Sequence, residues 1–212
     1  MQSVAVIDYG ASNLRSVVKA LEHVSASRYK IVLTDNPDVI FGAEKIVFPG
    51  QGAIKQCMDS LKSKGLDQVI KESVFHKPYL GLCLGLQALF DFSEEDDGTE
   101  GLGIIPGKVL RFPAGSRDEN NEAFKIPHMG WNLVSQKKSH PMWNDIGTQE
   151  RFYFVHSYYV KPQNQDDICG TTDYIFPFTS VVARDNLFAV QFHPEKSQKC
   201  GLQLLSNFLD WE

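Results

Sequence analysis

Residues 78–92 read Pro78-Tyr79-Leu80-Gly81-Leu82-Cys83-Leu84-Gly85-Leu86-Gln87-Ala88-Leu89-Phe90-Asp91-Phe92. A short apolar run of strand length, 78–82, leads to Cys83, and a run with helical character, 84–92, leaves it. The pattern small-x-Cys-x-small at a strand-to-helix junction is that of a nucleophile elbow, with Cys where hydrolases more often carry Ser. Such a turn is sharp and strained, and glycine at 81 and 85 removes the Cβ atoms that would collide with the strand or the helix. It lifts the sulfur above the sheet end and faces it with the partial positive charge of a helix N-terminus, which favours a thiolate. By itself the stretch fits equally well a buried structural cysteine with glycines for close packing.

The far end of the chain supplies what such a nucleophile needs. The run Ala189-Val190-Gln191-Phe192-His193-Pro194-Glu195-Lys196 delivers a histidine at the end of a strand-like segment, 187–192, with a carboxylate two residues on. A cysteine nucleophile requires a base and a third group that orients the base. Cys83, His193 and Glu195 fill these places, and Pro194 stops the strand so that both side chains can face one site.

Between these ends, strand and helix signals alternate. Residues 3–8, 29–34 and 45–48 are continuous apolar runs suited to a buried parallel sheet. Residues 14–24 repeat Leu14, Val17, Val18 and Leu21 at helical spacing. Asn36-Pro37-Asp38 starts a second helix, and 58–72 predicts a third that Gly65 interrupts. Alternation of this kind implies βαβ units, hence a single α/β domain over 1–212 with a mostly parallel central sheet flanked by helices, flavodoxin-like. The acidic stretch 92–103 reads as a solvated loop without a metal site, 104–107 as a turn, 108–112 as a strand, 113–122 as a polar loop and 125–132 as a turn. Residues 152–160 are strongly β, 168–172, 181–184 and 187–192 are later strands, and 201–211 is a closing amphipathic helix. The loop Pro49-Gly50-Gln51-Gly52-Ala53 can turn its N–H groups outward toward an oxyanion. His128 and His156 are alternative bases in principle, but neither has a neighbouring carboxylate and both suit satisfied structural roles.

The composition is that of an ordinary globular chain: 212 residues, 42% hydrophobic and 22% charged. A net charge of −5 offers no nucleic-acid surface. No apolar run reaches a membrane span, and the N-terminus lacks the pattern of a signal peptide, so a cytoplasmic protein with four free thiols is expected, Cys57, Cys169 and Cys200 being packing residues.

Five blocks, in order along the whole chain, resemble the triad-type glutamine amidotransferases, and within them the glutaminase subunits of imidazole glycerol phosphate synthases. They are Asp8-Tyr9-Gly10 with Asn13-Leu14-Arg15-Ser16-Val17, Pro49 to Ala53, Gly81 to Gln87, Pro127-His128-Met129-Gly130-Trp131-Asn132 with Tyr153-Phe154-Val155-His156-Ser157-Tyr158, and Gln191 to Glu195. The resemblance implies L-glutamine as substrate and neither cofactor nor metal. It places oxyanion donors at Leu84, Gln51 and Gly52, and substrate contacts at Gly52, Gln87, Ser157 and Tyr158. It implies a (β/α)8-barrel cyclase partner, met through Asn13, Trp131, Tyr153 and Lys196, in a heterodimer of histidine biosynthesis. Gln51 stands where the family carries a small apolar residue, Ile54 where it carries an aromatic, and Ala11-Ser12 precedes Asn13. These departures keep open a paralogous glutaminase that feeds amidino-sugar synthesis. A cysteine peptidase or γ-glutamyl hydrolase is the more distant alternative.

Overall fold

In the computed structural model, which describes residues 2–11, 14–117 and 119–212, the chain begins with β1 (Gln2–Ile7), α1 (Leu14–Ser25), β2 (Tyr29–Thr34), α2 (Pro37–Gly42), β3 (Lys45–Gly50), α3 (Ile54–Ser63), α4 (Leu66–Ser73) and β4 (Tyr79–Cys83). Local chemistry sets two of these helix boundaries. Asn36 caps α2 by accepting the Asp38 N–H, and Pro37 occupies the first turn. Gly65, at φ +68°, separates α3 from α4, as the sequence predicts.

The second half contributes α5 (Leu84–Gln87), β5 (Phe90–Ser93), β6 (Thr99–Glu100), β7 (Ile105–Arg111), β8 (His128–Gln136), β9 (Gln149–His156), β10 (Tyr158–Pro162), β11 (Ile168–Asp173), β12 (Pro177–Arg184), β13 (Leu187–Val190) and α6 (Gln198–Asp210). Five strands, in the order β2-β1-β3-β4-β13, are parallel. Strands β12, β10, β7, β5 and β6 extend the sheet with mostly antiparallel pairs, and β11 attaches the β8–β9 hairpin to β12. The fold is α/β with a mostly parallel central sheet.

Successive residues of the parallel strands feed opposite cores. Ala5 and Ile7 of β1 pack with Ile40, Leu61 and Ile70 beneath α2–α4, while Val4 and Val6 pack with Val17, Leu21, Leu205 and Phe208 beneath α1 and α6. Burial on both faces is why these strands read as unbroken apolar runs. Parallel strands also share one C-terminal edge, where Gly50, Cys83 and the residues after Val190 emerge side by side.

Four expectations change. The helix after Cys83 is a single turn, not the run 84–92. The carbonyls of Ala88, Leu89 and Phe90 are taken by the N–H groups of Leu102, Ile104, Ile105 and Gly103, at 2.8–3.1 Å, and the chain continues as β5 beside β7. Non-local pairing thus overrides local helical propensity. Of the expected turn 104–107, residues 105–107 belong to β7. Residues 128–132 are not a turn but the start of β8, paired residue for residue with β9 from His128↔His156 to Ser135↔Gln149. The β run at 152–160 is interrupted at Ser157, which separates β9 from β10.

Candidate active site

Cys83 closes β4 at φ 52°, ψ −103°, a strained conformation for a residue with a side chain. The strain is held by close packing on both sides. A Cβ on Gly85 would lie 2.0 Å from the Phe48 carbonyl oxygen, and one on Gly50 would lie 2.4 Å from the Leu84 Cβ, so only glycine lets β3 and α5 meet here. Cys83 is buried yet borders a cleft of about 420 Å³ whose walls include Gln51, Gly52, Leu84, Gln87, Glu95, Ser157, Tyr158, His193 and Lys196.

His193 arrives just past β13, pinned by its N–H to the Tyr153 carbonyl at 2.9 Å. Pro194–Lys196 form a 3-10 turn that brings Glu195 back under the ring. His193 Nδ1 donates to Glu195 Oε1 at 2.9 Å, and both side chains are almost wholly buried. With Nδ1 carrying its hydrogen, Nε2 is the basic nitrogen; it is buried and has no hydrogen-bond partner among the described residues. Burial, the largest influence, opposes an imidazolium here, but the negative charges of Cys83 and Glu195 and the hydrogen bond to Glu195 together outweigh it and raise His193 to about 10. A thiol, an imidazole and a buried carboxylate in this order are the parts of a nucleophile–base–orienter set.

Two further residues, one behind the cleft and one in its wall, belong to the site and carry no assigned role in the sequence reading. Gln191 is fully buried; its Nε2 lies 3.5 Å from Cys83 Sγ as donor, and its Oε1 accepts from Gln87 Nε2 at 3.2 Å. Its signal is a lone amide ending the apolar strand Leu187-Phe188-Ala189-Val190. Glu95 lies in the stretch read as a solvated acidic loop, yet its Oε2 accepts the Ile54 N–H at 3.0 Å and its carboxylate borders the cleft. Burial raises its pKa, against the hydrogen bond from Ile54. Gln87 keeps its expected place one turn beyond Cys83, and its Nε2 also donates to the Tyr158 carbonyl at 3.2 Å.

The loop after β3 departs from expectation at one atom. The Gln51 N–H donates to the Tyr9 hydroxyl at 3.0 Å, and the same hydroxyl donates to the Gln51 carbonyl at 3.2 Å. In this conformation the Gln51 N–H is therefore committed to Tyr9 and is not an oxyanion donor. Gly52 sits at φ +97°. Of the residues assigned to a partner surface, Asn13 lies outside the described residues. Trp131 and Tyr153 are cross-strand partners with ring centroids 6.1 Å apart, and Lys196 Nζ is 6.0 Å from the Tyr153 ring, so these three are contiguous beside the cleft. His128 and His156 are buried and bonded to one another, apart from Glu195. Among the described residues no cluster of His, Cys, Asp and Glu could hold a metal, and no helix is long and apolar enough to cross a membrane.

A family model, glutamine amidotransferase class-I, matches residues 5–211. A Methylococcus capsulatus protein named imidazole glycerol phosphate synthase subunit HisH is 53% identical over 213 residues, covering 100% of this chain and 98% of the relative. The protein of that name from Nitrosospira multiformis is 52% identical over 100% and 99%. Among solved structures, one titled glutamine amidotransferase superposes with a TM-score of 0.71 at 15% identity, covering 98% of this chain and 97% of the other. A glutamine amidotransferase of Thermotoga maritima gives 0.60 at 14%, covering 99% and 83%. At such identities the structures attest the fold alone, whereas the sequence matches settle the family: the chain belongs to the class-I glutamine amidotransferases, in the HisH family of imidazole glycerol phosphate synthase subunits.

Proposed function

We propose that the chain is the glutaminase subunit of an imidazole glycerol phosphate synthase and works through a cysteinyl thioester. The Cys83 sulfur attacks the side-chain carboxamide of L-glutamine, forming a C–S bond, while His193 Nε2 takes the thiol proton. His193 returns that proton to the departing nitrogen as the C–N bond breaks, releasing ammonia. Water, deprotonated by His193, then adds to the thioester; the C–S bond breaks and glutamate leaves. Glu195 holds the ring in the tautomer that keeps Nε2 free. The Leu84 N–H stabilises the oxyanion, joined by a loop N–H at Gln51 or Gly52 once the Gln51 peptide turns away from Tyr9. Gly52, Gln87, Ser157 and Tyr158 line the substrate, and the Glu95 carboxylate suits its α-ammonium group.

The released ammonia goes to a (β/α)8-barrel cyclase that makes imidazole glycerol phosphate and aminoimidazole carboxamide ribotide in histidine biosynthesis. The partner covers the outward side of β8, where Met129, Trp131 and Leu133 are 61%, 43% and 43% exposed, together with Tyr153 and Lys196. The observation that carries the reaction is the Glu195–His193 pair set against a strained Cys83. The names of the full-length relatives support the histidine pathway over amidino-sugar synthesis. The experiment is turnover by wild type and Cys83→Ala with the cyclase subunit. Glutamine-dependent synthesis is lost in the variant while ammonia-dependent synthesis persists; glutamine turnover by Cys83→Ala would reject the mechanism.

A further inference from the structure

Strand alternation gives β8 two different faces. Met129 and Trp131 point out, while His128 and Asn132 carry a hydrogen-bond chain that runs from half-buried Asn132 to the buried histidines. His128 and His156 are direct cross-strand partners, and His128 Nδ1 lies 2.9 Å from His156 Nε2. His156 Nδ1 in turn lies 2.8 Å from the Tyr158 carbonyl oxygen. A carbonyl can only accept, so His156 Nδ1 carries hydrogen. In a neutral ring Nε2 is then an acceptor, and His128 Nδ1 must donate to it. His128 Nε2 is left to accept, and it faces the Asn132 amide nitrogen at 3.2 Å. Asn132 is itself fixed, donating to the Asp173 carbonyl at 2.8 Å and accepting the Leu133 N–H at 2.8 Å. Every link has one permitted direction.

The chain ends in the cleft. The Tyr158 carbonyl accepts from His156 and from Gln87 Nε2, and that same amide nitrogen donates to Gln191 Oε1. Both hydrogens of Gln87 Nε2 are thereby committed, and the end of the amide available to a ligand is Oε1, an acceptor. Aromatic packing holds the rings in line: His128 stacks on Tyr174 at 4.0 Å and on Phe154 at 4.9 Å. Burial depresses His128 to about 4 and His156 to about 3, so both rings stay neutral and the polarity of the chain is fixed at neutral pH.

We propose that His128 and His156 form a one-way hydrogen-bond relay that sets the Tyr158 carbonyl and, through it, the orientation of Gln87 toward glutamine. Neither is hydrogen-bonded to Cys83, His193 or Glu195, although His156 borders the cleft; both are positioning residues for substrate binding. The inference rests on the reading of this cleft as the glutamine site.

The experiment is glutamine saturation kinetics of the full chain in complex with the cyclase subunit and its acceptor substrate, as wild type, His128→Phe and His156→Phe, with histidine 15N NMR of the wild type. Phenylalanine at 128 keeps the stacking shape and deletes the donor. An unpartnered buried acceptor is expected to raise KM roughly five- to 150-fold, with kcat changed by only about two-fold. The NMR expectation is Nδ1–H, Nε2-unprotonated signals for both rings. Folded variants with unchanged KM, or a fall in kcat alone, would overturn the relay. Where a variant fails to fold, the wild-type spectrum decides, because either ring protonated at Nε2 would overturn it. A wild type that does not turn over glutamine defeats the functional reading and the relay together; an active wild type with indifferent variants defeats the relay alone.

Discussion

Removing the Tyr9 hydroxyl is expected to accelerate glutamine hydrolysis by the uncomplexed chain. That hydroxyl both accepts the Gln51 N–H at 3.0 Å and donates to the Gln51 carbonyl at 3.2 Å. Burial pushes Tyr9 well above the usual tyrosine range, so the group stays neutral and able to do both. The two bonds favour a loop whose Gln51 N–H faces away from the nucleophile. Each contributes about 0.5–1.5 kcal/mol. Tyr9→Phe therefore shifts the loop toward the donor conformation by about 2 kcal/mol, roughly 30-fold in population. The gain has a ceiling, because a single oxyanion donor is worth about 3–4 kcal/mol. Phenylalanine retains the edge-to-face contact with Phe48, whose centroid lies 5.6 Å away, so the fold is expected to hold. The assay is glutamate release by the isolated chain and by the complex with acceptor bound. The rate of the isolated chain rises, and that of the liganded complex, with its loop already turned, does not. An unchanged or slower isolated rate in a variant of unaltered Tm would refute the clamp.

Two further outcomes follow from the same site. His193→Asn is expected to lower glutamine kcat by about three decades, and Glu195→Gln by less; because the folded pKa of His193 is raised to about 10 from an ordinary value near 6.5, the stability it contributes is fully present below about 6.5 and fades as pH rises through about 10, so the Tm difference between wild type and His193→Asn should narrow across that window in calorimetry. Gly85→Ala places a Cβ 2.0 Å from a backbone oxygen that cannot move cheaply, and thermal unfolding should report a loss of about 3 kcal/mol, with a wild-type Tm counting against the packing account of the elbow.

Features written in a few adjacent residues were legible in the sequence. The parallel strands announced themselves as apolar runs, and β2 was placed residue for residue at Tyr29–Thr34. Cys83 and the His193-Pro194-Glu195 turn were readable because strand ends deliver functional side chains in sheets of this type. What escaped depends on partners far along the chain. Gln191 meets Cys83 across 108 residues and Gln87 across 104, Glu95 meets Ile54 across 41, and Tyr9 meets Gln51 across 42. No local pattern encodes such encounters. The helix after Cys83 was overextended for the same reason. Leu84 to Phe92 suits a helix locally, and only the return of residues 102–105 to claim the carbonyls of 88–90 makes it turn. At β8, the block 125–132, with Trp131 and Asn132, reads as a turn, while its strand character comes from the partner β9.

The β8 strand also explains why two histidines that resemble catalytic bases are not placed as bases. A base must be able to take a proton, and burial without a carboxylate pushes both rings the other way: His128 and His156 are depressed, while His193 beside Cys83 and Glu195 is raised. Three buried imidazoles in one half of the molecule are thus sorted by their neighbours alone. The two neutral rings lie on the inner side of the β8–β9 hairpin, and the outer side of β8 is apolar and open. The spacing of that strand fixes the relation, since a residue contacting a partner at 129 or 131 is adjacent in the backbone to one holding the relay at 128 or 132. A subunit seated on Met129 and Trp131 therefore bears on the same backbone that sets the Tyr158 carbonyl, and the path from that surface to Gln87 runs through four hydrogen bonds, from Asn132 through His128, His156 and the Tyr158 carbonyl.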